Sequence, residues 1–430
     1  MRYVYGEARK KVQKNTKGLD LRQSDPAVTL ADAALAAAIA AVSAAAVMPK
    51  RLPQPRGRLV VIAIGKAAVP MMAATQALRA VAGLVVAPHG HVPEGVGWRG
   101  VAIIAAGHPV PDVDSVRAAE TALALAASLT ADDHLLVLVS GGGSALLAAP
   151  VAGVSIADKA AVTRALLRSG ATIAEINTVR KALSRIKGGR LAAASVAPVT
   201  TWIISDIPGD DPAFVASGPT IADGSTAAMA QAVLDRFGVV PPVSVVAALR
   251  RACDAPLLPP AGAVRIVARA RDALNAAAHV VRGAGYAVTD LGDALQGEAR
   301  TVGAEHAALA RRLAATGVRH AIISGGETSV TVTGAGGRGG RNLEYALGLA
   351  LALDGPPGIT AIAADSDGID GSSDAAGARV GPDTLARGGD AAAYLAANDA
   401  HGFFAAIGDL VVTGPTLTNV NDIRVILIEG

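Results

Sequence analysis

The chain has 430 residues, 51% of them hydrophobic and 17% charged, with 48 glycines; this excludes a largely disordered protein and exceeds one ordinary core, so two α/β domains are expected. The formal net charge is +3, yet residues 1–22 alone hold seven basic against two acidic side chains, so the body is nearly neutral and a nucleic-acid partner is not expected. The single cysteine, Cys253, excludes an intrachain disulfide and fits a reducing compartment, which makes the cytoplasm the expected location.

Residues 1–22 read as a basic tail, either disordered or a helical extension. The Ala-rich stretch 31–47 follows a polar lead too long for a signal n-region and is interrupted by Asp32; it predicts an amphipathic core helix, and no membrane span or membrane partner is expected. Short apolar runs ending near Gly, Ser or Asp then recur at 59–64, 101–105, 135–139, 201–204, 264–268, 320–323, 359–363 and 410–412. Helical patterns follow them, the repeated grammar of a βαβ series with buried parallel strands. Further helices are predicted over 227–237 and 243–251, and the Pro-rich 254–260 stretch predicts a linker. The expected division is therefore an N-terminal α/β domain over 23–258 and a C-terminal α/β domain over 259–430.

Several strand-to-helix loops carry residues suited to anions. Ser140-Gly141-Gly142-Gly143-Ser144 places three glycines between a buried strand and a helix start; such a loop lets backbone N–H groups close on a phosphate or carboxylate. Lys66, in Gly65-Lys66-Ala67-Ala68, stands at the mouth of a helix as a point charge, but position 60 is valine where a Walker A loop needs glycine. Asn177, Arg180, Ser184 and Lys187 follow, the last three at helical spacings that predict one basic face. Asp206, Asp210 and Asp211 lie just past one strand, and Asp365, Asp367 and Asp370 just past another, positions where carboxylates serve as metal ligands, as a base, or simply as turn formers. Glu327 ends a second Ser-Gly-Gly turn, and Arg341-Asn342 opens a helix after a glycine-rich loop, where a guanidinium and backbone amides would meet one anion. Gly334, Gly336 and Gly339 also satisfy a GxGxxG dinucleotide fingerprint, but the following acid, Asp365, comes later than that motif requires.

Together these blocks, with Gly107-His108-Pro109, Ser217-Gly218-Pro219-Thr220, Asp367-Gly368-Ile369-Asp370-Gly371 and Thr413-Gly414-Pro415-Thr416, resemble the glycerate 2-kinases, a family also labelled hydroxypyruvate reductase, whose C-terminal part is the MOFRL domain. The likeness runs from about Leu59 to the C-terminus. It implies two unlike α/β domains, a larger Rossmann-like one with a parallel sheet and a smaller one with a mixed sheet, with a cleft between them. It also implies ATP-dependent phosphorylation of D-glycerate at the 2-hydroxyl with Mg²⁺.

Lys66 and Arg341 sit where that family has its active-site lysine and arginine. Asp206 is the expected base or metal ligand and Asp367 the second metal ligand. Ser140, Gly141, Gly142, Gly143, Ser144, Asn177, Arg180, Lys187, Glu327 and Asn342 are expected to bind substrate or nucleotide. Leu343, Ser366, Ser329 and Leu417 depart from the family pattern, which more often shows Gln, Thr, Thr and Gly. An NAD(P)-dependent hydroxypyruvate reductase and a non-catalytic anion-binding protein are the alternative readings. Homo-oligomerisation is expected on general frequency alone.

Overall fold

The protein is described by a computed structural model over residues 25–79, 81–252, 262–333 and 336–430. The basic tail, Cys253, the Pro-rich 254–260 stretch and Gly334 lie outside the described residues. The continuous Val, Ile and Leu runs form strands covered on both faces, which is why their apolar pattern does not alternate. Strand β1 (Leu59–Ile64) is buried at every position. With β2 (Ala82–Pro88), β3 (Val101–Ala106), β4 (His134–Val139), β5 (Val199–Ile204) and β6 (Val264–Ala268) it makes a six-stranded sheet in the order β3-β2-β1-β4-β5-β6. Every pair in it is parallel. This is the doubly wound order, whose direction of winding reverses between β1 and β4.

The second sheet runs β11-β10-β9-β12-β8-β7, from β7 (Ala287–Asp290), β8 (His320–Ser324), β9 (Ile359–Asp365), β10 (Gly377–Val380), β11 (Leu410–Val411) and β12 (Asp422–Ile428). Only β7 and β8 pair in parallel, so this sheet is mixed. Two α/β domains of unlike topology are therefore present, as expected. The strands that the sequence pattern overlooked are β2, β7, β10 and β12. No helix pattern follows β2, β7 or β10 closely, and β12 has a charged residue, Arg424, in its middle.

The division of the chain differs from the expected break at 258/259. Strand β6 pairs with β5, so the first sheet extends to Ala268. The first helix, Pro26–Ala41, starts earlier than predicted, at an Asp25 cap followed by proline, and a separate turn, Ala44–Val47, takes the rest of the Ala-rich stretch. That helix packs on helix Ala270–Gly283 and on β9 and β12 of the second sheet. Its fully buried Ala34 and Ala38 meet a core that contains Ala273 and Ala277, small residues that let two helices approach closely. Arg379 of β10 adds a two-pronged ion pair to Asp32 on the same helix. The N-terminal segment thus belongs spatially with the C-terminal domain.

Among the described residues, no helix is long and apolar enough to cross a membrane. An Ala277→Leu substitution forces extra volume into this helix contact and is expected to cost about 1–3 kcal/mol. A urea unfolding curve checks it: an unchanged midpoint would mean the two helices are not closely packed there.

Candidate active site at the junction of the two sheets

The loops leaving β1 and β4 diverge at the point where the sheet's winding reverses, which is where doubly wound folds leave a crevice. Here they are locked together. The Lys66 N–H donates to Gly141 O at 2.9 Å, and buried Ser140 Oγ accepts from Ala67 N at 3.0 Å while donating to Ile64 O at 3.1 Å. Gly65 has φ +112°, and a Cβ there would lie 2.3 Å from Ser140 Oγ, so only glycine permits the approach. Ser140 therefore shapes the crevice, its buried hydroxyl engaged by the backbone on both sides.

The second domain brings carboxylates to this crevice. Lys66 Nζ pairs with Asp367 Oδ2 across the junction. Burial pulls the Lys66 ammonium down, but Asp367 and Asp365 together outweigh that and hold it above the usual lysine range. Arg341 has its guanidinium shared among Asp422 at 2.8 Å, Glu327 at 2.9 Å and Asp365 at 2.8 Å. Burial opposes its charge, and the three acids override it, so the charged form is fixed.

Asp206, on the loop after β5, accepts from Asn419 Nδ2 at 3.2 Å, and its backbone carbonyl accepts from Asn421 Nδ2 at 2.6 Å. Burial pushes its carboxyl up to about 6, opposed chiefly by Lys66. Its neighbours Asp210 and Asp211 serve elsewhere: Asp210 lies 3.7 Å from Arg269, and Asp211 accepts from Ala213 N at 2.9 Å. A Cβ on Gly141 would fall 2.2 Å from both Asp206 Oδ2 and Asn419 Nδ2, so the glycine loop lies directly on the acid.

The start of helix Arg341–Leu353 is already occupied. Asp370 is fully buried, and its carboxylate accepts from Asn342 N at 3.1 Å and Leu343 N at 2.8 Å. Burial pushes it up to about 6, against those two amides. A dinucleotide pyrophosphate would need the same N–H groups, so the glycines at 336 and 339 do not open a phosphate site. Asn342 is likewise fully buried, donating to Asp422 at 2.8 Å and Asp370 at 3.3 Å. Its amide nitrogen aligns these two carboxylates. Glu327 is half exposed beside Arg341.

The basic face predicted over 180–187 does not exist as one helix. Helix Ile173–Ala182 stops at Leu183, Ser184 bridges to Pro150, and Gly188 and Gly189 turn the chain back with positive φ. Arg180 and Lys187 nevertheless converge on Ser144. Arg180 Nη2 and Lys187 Nζ both donate to Ser144 Oγ, the latter at 2.9 Å. With both lone pairs taken, the Ser144 hydroxyl must donate to Ser217 Oγ at 2.9 Å, which donates on to Asn177 Oδ1 at 3.3 Å. Lys66 and Arg341 thus meet around Asp365 and Asp367, while Ser144, Asn177, Arg180 and Lys187 form a second group at the other end of the glycine loop.

Sequence reasoning missed Asn419, Asn421 and Asp422 as site residues. The signal available was the polar run 418–422 immediately before an apolar strand. The 413–421 segment also braces the Asp367 turn: Thr416 N donates to Asp367 O at 2.9 Å and Val420 N to Ser366 Oγ at 2.8 Å, so Ser366 keeps the hydroxyl that a threonine would supply. Leu417 has φ +60°, a left-handed conformation that costs a branched residue roughly 1 kcal/mol and suits glycine. His108, beside Gly142 and Lys66, is pulled down to about 4, first by desolvation and then by Lys66, and so stays neutral.

The fold and this site define a two-domain α/β protein with a charged crevice at the switch point of a Rossmann-type sheet, completed by acids from its partner domain. Residues 30–250 match the family described as a domain of unknown function (DUF4147), and residues 320–422 match the MOFRL family. A protein of Agrobacterium vitis that bears the provisional name hydroxypyruvate reductase is 49% identical over 92% of each chain. The D-glycerate 2-kinase of Thermotoga maritima is 37% identical over 86% of this chain and 91% of its own. The crystal structure of a Thermotoga maritima glycerate kinase superposes with a TM-score of 0.82 at 34% identity, covering 93% of this chain and 99% of that one. The chain belongs to the glycerate 2-kinase family that carries the MOFRL domain.

Removing the buried cap by Asp370→Ala leaves the Asn342 and Leu343 amides without their acceptor, at an expected cost of about 1–3 kcal/mol. Equilibrium denaturation of the variant measures it, and a loss below a few tenths of a kcal/mol would show that the cap is replaceable.

Proposed function

We propose that this protein transfers the γ-phosphoryl group of ATP to the 2-hydroxyl of D-glycerate, giving 2-phosphoglycerate and ADP. The observation that carries the reading is Asp206, an acid pushed up to about 6 and lying on a glycine loop between fixed cations. Such a carboxylate is ionised at neutral pH yet basic enough to take a hydroxyl proton. As the substrate oxygen bonds to the γ-phosphorus, Asp206 accepts its proton. The bond from that phosphorus to the β,γ-bridging oxygen breaks, and its electron pair leaves with ADP.

Phosphoryl transfer needs positioned positive charge more than covalent help. Lys66, exchanging Asp367 for the moving phosphoryl group, and Arg341, facing the substrate carboxylate, supply it. Mg²⁺ fits the residues on hand: the donors are carboxylate oxygens, and burial has made the ionised forms of Asp206 and Asp365 costly, a cost that a divalent cation offsets. Asp367, with Asp365 beside it, would hold it, leaving Asp206 free as the base, and it would supply neutralising charge to the transferred phosphoryl group. The reductase name of two relatives favours the rival chemistry, but the helix start that would hold a pyrophosphate is filled by Asp370.

An ADP-release assay with D-glycerate and MgATP tests the proposal, with NMR of the product to assign the hydroxyl. Oxidation of NADH or NADPH by hydroxypyruvate, with no ADP formed from glycerate, would overturn it. Lys66→Ala and Arg341→Ala are expected to fold and to lose about 10²-fold or more in kcat/KM; near wild-type values would remove that residue from the mechanism.

The acid side of the pH profile follows from Asp206. Its conjugate acid cannot accept a proton, so kcat/KM falls as pH drops through about 6. Asp206→Asn loses about 10²–10⁴-fold and leaves a residual rate without that limb. An unchanged limb in the variant would assign the base elsewhere.

A further inference from the structure

At the end of the glycine loop remote from Asp206, a cavity of about 310 Å³ opens between the 109–111 loop and helix Ile156–Arg168. Lys159, Arg164, Arg180 and Lys187 line it together with Ser144. Among the described residues none of these four cations has a carboxylate partner. Lys159 Nζ reaches only the Leu183 carbonyl at 3.4 Å, and the Lys187 ammonium, on a residue 2% exposed, donates only to Ser144.

The contrast with other buried cations nearby is sharp. Lys181 is paired with Asp223, Lys66 with Asp367, and Arg341 with three acids. Buried charge is ordinarily paired because desolvation is expensive. A group of cations left without acids around a cavity is complementary to an anion supplied from outside. Burial, then Arg180 and Arg190, pull Lys159 down to about 7; burial, then Arg180, Lys159 and Lys181, pull Lys187 well below its usual range. An incoming anion would reverse both shifts.

We propose that this cavity binds the polyphosphate of the nucleotide donor, with Lys159, Arg180 and Lys187 on its phosphate oxygens, and leaves the acid-lined side of the glycine loop to D-glycerate. The proposal rests on the kinase reading above. Charge decides between the two ligands. Each phosphate adds a negative charge or more, which matches several unpaired cations, whereas glycerate offers one carboxylate, too little charge to balance four of them. On the other side of the loop, Asp206, Asp365, Asp367 and Glu327 would repel a bare polyphosphate. The two sides communicate through Gly142, whose Cβ position lies 3.0 Å from His108 and 3.5 Å from Lys66, so a terminal phosphoryl group following the loop arrives at Lys66. At the cavity's edge Val110 and Leu167 are exposed at 68% and 60%, an apolar surface suited to a nucleobase.

Calorimetric titration of the full chain with tripolyphosphate, MgATP and D-glycerate, each alone, tests the assignment in the wild type, Lys187→Met and the half-buried Lys159→Gln, the variant less exposed to folding failure. Both substitutions are expected to weaken tripolyphosphate and MgATP about 10-fold or more and to change D-glycerate less than about 2-fold. In the wild type, tripolyphosphate affinity falls as pH rises above about 7, where Lys159 loses its proton, and Lys159→Gln weakens that dependence. Loss of D-glycerate binding with polyphosphate retained would overturn the proposal, as would an equal loss of both or no change in either. Lys159-dependent tripolyphosphate binding in a protein that makes no ADP from glycerate would uphold the pocket and sink the kinase reading instead.

Discussion

The ion pair between Lys66 and Asp367 joins the glycine loop of one sheet to the acidic turn of the other, and the charge balance of the whole junction is built around it. Buried Asp365, Asp367 and Asp422 converge at the junction with partly buried Asp206, where unpaired carboxylates would be strongly unfavourable. Lys66 from the first domain, with Arg341 and Arg424 from the second, makes the arrangement tolerable. Neither domain has a balanced crevice alone. Asn419 and Asn421 reinforce the junction by reaching from the segment before β12 to Asp206. The way the two sheets face one another is thus set by matched polar groups as much as by the shared apolar core beneath them.

The glycine loop after β4 divides two electrostatic environments. On one side cations and acids are matched one against another. On the other, Lys159, Arg180 and Lys187 stand around Ser144 with hydroxyls and carbonyls as their only acceptors among the described residues. A loop without side chains is what allows two such environments to lie this close, since any Cβ at Gly141 would strike Asp206. The switch point of the sheet makes the separation topologically natural: the chains leaving β1 and β4 turn to opposite faces, so their loops present a crevice between them.

Relatives of this chain carry both kinase and reductase names, and the physical difference between those chemistries lies in where a helix start points. A reductase of the Rossmann type would offer free amides to a pyrophosphate. Here the amides of Asn342 and Leu343 are satisfied by Asp370, and the guanidinium beside them is held by three acids. Close packing in this loop falls instead on the neighbouring glycines: Cβ atoms at Gly337 and Gly340 would collide with Asp399 and Asp370, whereas one at Gly336 would meet nothing within 4 Å.

The sequence by itself determined the parts whose cause is local. Unbroken apolar runs specified buried strands, the glycine triplet at 141–143 specified a tight strand-to-helix turn, and the ordered blocks around Lys66, Ser140 and Arg341 specified the family; the parallel pairing expected of every run holds in the first sheet, while the runs at 359–363 and 410–412 pair antiparallel in the second. Tertiary structure alone decided the rest. Arg424 buried in a central strand, the first helix docked on the far domain, and β6 completing the first sheet all depend on contacts between segments far apart in the chain, which no local pattern encodes. Ser140 and Asn342 look like ligand groups in the sequence because serine and asparagine carry the same polar atoms whether they face a substrate or a neighbouring carbonyl. Which of the two they face is fixed by burial, and burial is a property of the folded whole.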